Sequence, residues 1–128
     1  MTPEADHKRT VRRFVDEAVN GNRDDVIDEV ITPDMTSRVR EWFGAFRGSF
    51  PDVHMEIVEL VAEQDQVVAR LTCSATHLGE WRGHAPTGRR FEQVDEVYFF
   101  TFAGDQIASF WGIEDSLDRF RQLGLSPD

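Results

Sequence analysis

The residues best suited to chemistry in this sequence are an acid and a phenol, Glu96 and Tyr98. They lie two positions apart in an apolar segment, so on a strand their side chains share one face, which Phe100 and Phe102 continue. A carboxyl and a phenol above an aromatic floor can polarise a carbonyl or quinone oxygen. The spacing therefore predicts an acid/base pair inside an apolar pocket.

The register of this strand decides whether the pair faces the interior. A shift of one residue turns three others inward instead, namely Asp95, Val97 and Phe99. We favour the register with Glu96 inside, because it places Thr101 outside and Phe102 inside. If Glu96 is not a buried base, it is an edge-of-pocket carboxylate paired with an arginine.

The four histidines are further candidates, and their spacing does not indicate a metal site. His77 ends a predicted strand with its ring toward the interior, where it either acts on a substrate or holds the following loop by a hydrogen bond. His84, in a loop, either reaches a ligand or faces water, whereas His7 and His54 are expected in solvent. Without a His-x-Glu motif or an i, i+4 pair, no metal ligand set is predicted.

Three helices are predicted in the first third of the chain. Thr2 can cap the first helix, which starts at Pro3 and ends at Asn20-Gly21. The three apolar stripes follow helical spacing and comprise Val11, Phe14, Val15 and Ala18, then Val26, Ile27 and Val30, then Val39, Trp42, Phe43 and Phe46. These stripes need a common partner to pack against.

The partner is predicted to be a four-stranded antiparallel sheet. Strand-forming residues with turn signals between them define four segments, 53–63, 67–76, 90–102 and 107–113. Asp115 or Ser116 then caps a short last helix, with Leu117, Phe120 and Leu123 as its apolar stripe. This order predicts an α+β fold in which a curved sheet wraps around a helix and leaves a cone with an open mouth.

Composition limits the partners of the chain. Its 128 residues suit one domain, 1–128, and 24 acidic against 14 basic residues give a net charge of -10. That charge argues against nucleic-acid or anionic-membrane partners. We expect a cytoplasmic protein, because the start lacks the basic and apolar regions of a signal peptide. Cys73 is the only cysteine, which excludes an intramolecular disulfide and a zinc site of several thiolates.

Four short motifs spread along the chain carry a family resemblance. They are Phe50-Pro51-Asp52, Thr76-His77-Leu78-Gly79-Glu80, Gly83 with Pro86-Thr87-Gly88-Arg89-Arg90, and Arg121-Gln122-Leu123-Gly124. With them the sequence resembles the SnoaL-like polyketide cyclases of the nuclear transport factor 2-like superfamily. The resemblance implies an α+β cone, a pocket for an aromatic polyketide, a homo-oligomer, and aldol ring closure without metal or cofactor.

In that family, an Asp and a His on the strands are the residues implied in the cyclase chemistry. This chain has neither of them at the corresponding positions. Alignment backwards from the last motif puts Gly112 at the position of the Asp, and Tyr98 or Val97 at that of the His. Gly112 either leaves room for a flat ring system or marks a bulge. A strand and loop usual in the family are also absent between Met35 and Thr36, so the mouth is wider or a partner subunit covers it.

Aromatic residues are predicted to wall the pocket. Those expected either in the core or against a ligand are Trp42, Phe46, Phe100 and Phe110, with Gly112 beside them. Trp81 lies in a loop and is expected to be a lid over the mouth or a subunit contact. The apolar residues of the outer sheet face, Val97, Phe99, Trp111 and Ile113, predict a homodimer.

Two functions follow from these observations. The first is an enzyme that acts on an aromatic polyketide-like substrate, by aldol-type cyclisation or by assisting hydroxylation. Its catalytic residues would be Glu96, Tyr98 and His77, and no cofactor is expected. The alternative is a non-catalytic module that binds an apolar aromatic ligand, since ring-walled pockets bind readily without chemistry.

Overall fold

The computed structural model describes residues 2–127, which form four α-helices and four strands. In chain order these are α1 (Pro3–Arg13), α2 (Asp24–Val30), α3 (Thr36–Ser49), β1 (His54–Glu63), β2 (Gln66–Thr76), β3 (Arg90–Ala103), β4 (Gln106–Glu114) and α4 (Ser116–Gln122). A π-helical segment, Phe14–Val19, continues α1. The predicted order of helices and strands is confirmed.

The N-terminal helix begins and ends as its sequence predicts. The hydroxyl of Thr2 accepts a hydrogen bond from the N–H of Ala5, so it caps the first turn. At the other end, the side chain of Asn20 bonds both the C=O and the N–H of Met55 in β1, at 2.7 and 2.8 Å. These bonds fix the helix against the first strand.

The sheet is antiparallel in the order β1-β2-β3-β4, and its bulges curve it around the helices. One bulge interrupts the pairing of β2 with β3 between Cys73 and Ala75, where Gln93 has a φ of +53°. Beyond it the register brings Glu96 opposite Leu71 in β2 and opposite Glu114 in β4. Two carboxylates thus face each other across neighbouring strands.

The core lies between the helices and the concave face of the sheet. The stripes predicted for the three N-terminal helices are buried with the exceptions of Trp42, which is 37% exposed, and Phe46, which is half-buried. On β3, the buried side chains of Glu96, Phe100 and Phe102 confirm the register that we favoured. Met35, which directly precedes α3, lines an open cleft.

Two sequence predictions are wrong in detail. Asp115 caps α4 through the N–H of Asp118, but Leu117 is exposed and Arg119 is buried in its place, because the helix turns Arg119 toward the two carboxylates. His7, expected in solvent, is buried: its Nε2–H donates to the C=O of Gly104.

Candidate active site

Two adjacent cavities between α3 and the sheet share part of their lining. The outer cleft, about 980 Å³, lies between α3 and the end of β4 and includes Arg38, Phe110 and Gly112 among its lining residues. The inner cavity, about 400 Å³, is lined by residues that include Phe46 and Glu96. Both are bordered by the same five residues, Trp42, Ala45, Arg82, Tyr98 and Glu114.

Glu96 lies at the inner cavity and is almost completely buried, with 1% of its surface exposed. Its Oε1 accepts a hydrogen bond from the phenol of Tyr98 at 2.8 Å, and its Oε2 accepts one from Nη2 of Arg119 at 2.6 Å. Burial raises the pKa of Glu96, although Arg119 and the Tyr98 hydrogen bond act in the opposite direction. A carboxyl in this state can both take and return a proton.

Arg119 holds two carboxylates together. Its guanidinium is fully buried above the ring of Phe91, and its Nη1 lies 2.7 Å from Oε2 of Glu114. Burial alone would lower the pKa of Arg119, but the two facing carboxylates outweigh it and raise the pKa. Arg119 therefore stays charged between the two carboxyl groups, and the half-exposed Arg82 approaches Glu114 from outside.

Tyr98 lies directly over Gly112, its partner on the neighbouring strand. A Cβ added at Gly112 would come within 2.5 Å of Cε1 of Tyr98, and closer still to its Cδ1. The room that the sequence predicts at Gly112 is therefore occupied by the protein's own phenol ring. Burial and the charge of Glu96 raise the pKa of Tyr98, so its hydroxyl keeps its proton.

The aromatic residues surround this pair at different depths. Trp42 contacts Tyr98 edge to face at 6.3 Å and borders both cavities, while Phe110 lines the outer cleft. Phe100 is buried beneath, in a small apolar crevice of about 20 Å³. Trp81 lines the inner cavity but is only 8% exposed, so it is a wall of the cavity and not an exposed lid.

His77 is separate from the Glu96–Tyr98 pair. It is fully buried, it lines neither cavity, and its Nδ1 accepts a hydrogen bond from the N–H of Thr87. Its backbone also pairs with Arg89 and Gly88, so His77 holds the loop that precedes β3. Burial lowers its pKa, which favours a neutral ring. The predicted site residues therefore come together as Glu96 and Tyr98, without His77.

Arg119 and Glu114 were missed as site residues by the sequence reasoning. The helical stripe of α4 was assigned from apolar residues alone, and a buried arginine has no apolar signature. Counting back from the turn between β3 and β4 gives no signal, because it pairs Glu96 with Ile113; the bulge between Thr101 and Phe102 shifts the register by one residue and brings Glu114 opposite Glu96. Two like charges opposite each other on a buried face require a cation.

Metal and membrane sites find no support in the part of the chain that the structure describes. No group of three or more His, Cys, Asp or Glu residues within 2–127 could hold a metal ion. No helix in this range is long and apolar enough to cross a membrane.

Comparison with known proteins agrees with this architecture. The model of the SnoaL-like polyketide cyclase family matches residues 9–123. The chain is 30% identical to the aklanonic acid methyl ester cyclase AcmA of Streptomyces galilaeus over 128 aligned positions, which cover 89% of this chain and 88% of the relative.

Two solved structures are also similar. TsrD from Streptomyces laurentii has a TM-score of 0.88 at 24% identity, covering 98% of this chain and 100% of that one. AclR, a proposed hydroxylase from Streptomyces galilaeus, has a TM-score of 0.84 at 25% identity, covering 98% and 85%. The fold, the motifs and the family match agree, and this chain belongs to the SnoaL-like polyketide cyclase family.

Proposed function

We propose that this chain is an acid/base enzyme of polyketide or related secondary metabolism, which transfers a proton next to a carbonyl of an aromatic polyketide-like substrate. The observation that carries the proposal is the pair of hydrogen bonds that the buried Glu96 accepts at the inner cavity, one from the half-buried Tyr98 and one from the buried Arg119. A buried carboxyl with a raised pKa is the group that such a proton transfer requires.

The reaction that we favour is an intramolecular aldol ring closure. Glu96 takes a proton from the carbon next to a carbonyl, and the resulting enolate forms a carbon–carbon bond to a second carbonyl of the same molecule. The electron pair of that second carbonyl moves to its oxygen, which receives the proton back from Glu96. Tyr98 borders both cavities, and its one hydroxyl proton is donated to Glu96 in the resting protein. Once Glu96 carries the substrate proton, the phenol is free to turn this hydrogen bond to the developing oxygen anion.

This assignment uses different residues from those that the family resemblance implies. Gly112 stands at the implied Asp position, and the ring of Tyr98 covers it. The acid/base pair that we propose lies on the neighbouring strand β3, where the side chains of Glu96 and Tyr98 are hydrogen-bonded. We assign to His77 a supporting role, because its hydrogen bonds hold the loop before β3.

The second candidate is a non-catalytic binding module for an apolar aromatic ligand. It is favoured by one specific observation: both carboxylate oxygens of Glu96 already accept hydrogen bonds from the protein. In that case the Glu96–Arg119 pair serves only the structure, and Trp42 and Phe110 supply the binding surface.

The experiment is a conversion assay with aklanonic acid methyl ester, the compound in the name of the relative AcmA. Products are separated by liquid chromatography, and their masses are determined by mass spectrometry. A new product of unchanged mass supports ring closure, and the gain of one oxygen atom supports a role in hydroxylation. Tight binding of the compound without any conversion supports the binding module instead.

We also propose a homodimer through the outer face of the sheet. Trp111 and Ile113 are each 60% exposed on that face, and Phe99 contacts Trp111 edge to face at 5.7 Å. A second copy would remove this apolar surface from water. Because Trp111 and Ile113 also border the outer cleft, the partner would narrow the open mouth.

A further inference from the structure

Arg82 adopts a left-handed backbone conformation, which is unfavourable for residues other than glycine. It lies at the tip of a two-residue turn, closed by backbone hydrogen bonds between Trp81 and His84 at 2.8 and 3.0 Å. Arg82 has a φ of +48° and Gly83 a φ of +81°, so both central residues are left-handed. Glycine adopts this conformation freely, whereas arginine does so at a cost that its side chain must offset.

The side chain of Arg82 lies across the mouth of the site. Its guanidinium lies over the Trp81 ring at 4.8 Å and over the Phe120 ring at 5.8 Å. Its one charged contact within residues 2–127 is a long one, from Nη2 to Oε1 of Glu114 at 3.3 Å. A guanidinium carries five N–H donors, so most of those on Arg82 remain available to a ligand.

Arg82 lies where the reacting end of a bound ligand would pass. It is one of five residues that border both the outer cleft and the inner cavity, and two of the others are Tyr98 and Glu114. A flat ligand that lies in the cleft and reaches toward Glu96 passes the guanidinium. Stacking on Trp81 and Phe120 orients the planar guanidinium without using its N–H groups.

We propose that Arg82 is a specificity-determining residue that binds an anionic oxygen of the substrate next to the reacting carbon. The proposal rests on the proposed function for the location of that carbon. The planar fork of N–H groups fits a carboxylate or the enolate of a 1,3-dicarbonyl with two parallel hydrogen bonds. The substrate class is therefore a polyketide that carries such an acidic group beside the reacting centre.

The test compares two probes that differ only in this charge, anthraquinone-2-carboxylate and its methyl ester. The three tryptophans of the chain, Trp42, Trp81 and Trp111, all line the outer cleft or the inner cavity, so quenching of their fluorescence reports binding of either probe. We expect the wild-type protein to bind the carboxylate about ten-fold more tightly than the ester, the size expected of a charge-assisted hydrogen bond in a half-exposed site.

Two variants remove the guanidinium in different ways. Arg82→Gln keeps a polar side chain, and Arg82→Gly relieves the left-handed backbone, so the folded state is retained in at least the second. Both should lose the preference for the carboxylate. Arg38→Gln removes a charge from the same outer cleft away from the inner cavity, and Arg12→Gln removes one from the exposed surface of α1; both should keep the preference.

Three results would overturn the proposal. They are an unchanged preference in both Arg82 variants, an equal loss of preference in Arg38→Gln, and a wild-type protein that binds the two probes equally or binds neither. These binding constants do not depend on turnover. If the chain proves not to be an acid/base enzyme, the preference for the carboxylate probe should still be observed. If the preference is absent, the proposed acid/base function is not affected by that result.

Discussion

The substitution Gly112→Ala tests the packing that joins the two strands of the site. The added Cβ would lie 2.5 Å from Cε1 of Tyr98 and 2.9 Å from the backbone oxygen of Val97, both well inside van der Waals contact. Moving the Tyr98 ring away from this Cβ would disturb its 2.8 Å hydrogen bond to Glu96 and its contacts with Trp42 and Phe100, whose ring centroids lie at 6.3 and 6.1 Å. The Val97 oxygen belongs to the β3 backbone and is fixed by the sheet.

We expect Gly112→Ala to lower the free energy of unfolding by about 2 kcal/mol, within the range for overpacked sites. The measurement is urea denaturation followed by circular dichroism. Gly44→Ala is the matched control: Gly44 lies in α3 with nothing within 4 Å of an added Cβ, so the same change should stabilise the protein by roughly 0.5–1 kcal/mol.

A double-mutant cycle assigns this cost to the phenol ring. Adding Tyr98→Ala to Gly112→Ala removes the clash with the ring and leaves the one with the Val97 oxygen. The combined cost should therefore be smaller than the sum of the two single costs by about 1 kcal/mol. Additive costs, or a Gly112→Ala protein as stable as the wild type, would refute this reasoning.

Three further predictions concern the buried charges and the outer face. Arg119→Met should destabilise the protein by about 3–5 kcal/mol in urea denaturation, because it leaves two carboxylates without their buried cation. The pKa of Glu96 is higher in the folded than in the unfolded protein. Protonated Glu96 therefore contributes its full share to the free energy of unfolding below the unfolded pKa of about 4.3, and this share is lost as the pH rises through the pKa of the folded state. The stability of Glu96→Gln relative to the wild type should therefore increase from acid to neutral pH, and a constant difference would contradict the raised pKa. Light scattering should give the mass of a dimer for the wild type and of a monomer for Trp111→Glu; a monomeric wild type would contradict the proposed dimer.

The predictable part of this protein is the part governed by periodicity. Alternation along β3 placed Glu96 inside, because one face of the strand is buried and a slip of one residue would bury Asp95. The capping of α1 by Thr2 and of α4 by Asp115 followed from side-chain oxygens at helix starts.

The missed features depend on contacts between distant segments. Arg119 is buried because Glu96 and Glu114 meet on neighbouring strands, 23 and 5 positions earlier in the chain. His7 is buried because the turn after β3 presents the C=O of Gly104 to it and Phe102 stacks on its ring at 4.1 Å. Neither residue belongs to an apolar stripe, so periodicity alone assigns both to solvent.

The most direct test of the account is the turnover of Glu96→Gln at saturating substrate, with binding measured on the same protein by tryptophan fluorescence. Glutamine has the same shape and can still meet Tyr98 and Arg119, but it cannot take a proton. We predict that turnover falls by about 100-fold or more while the dissociation constant changes by no more than about three-fold. A variant that keeps the wild-type rate would show that Glu96 is not the base.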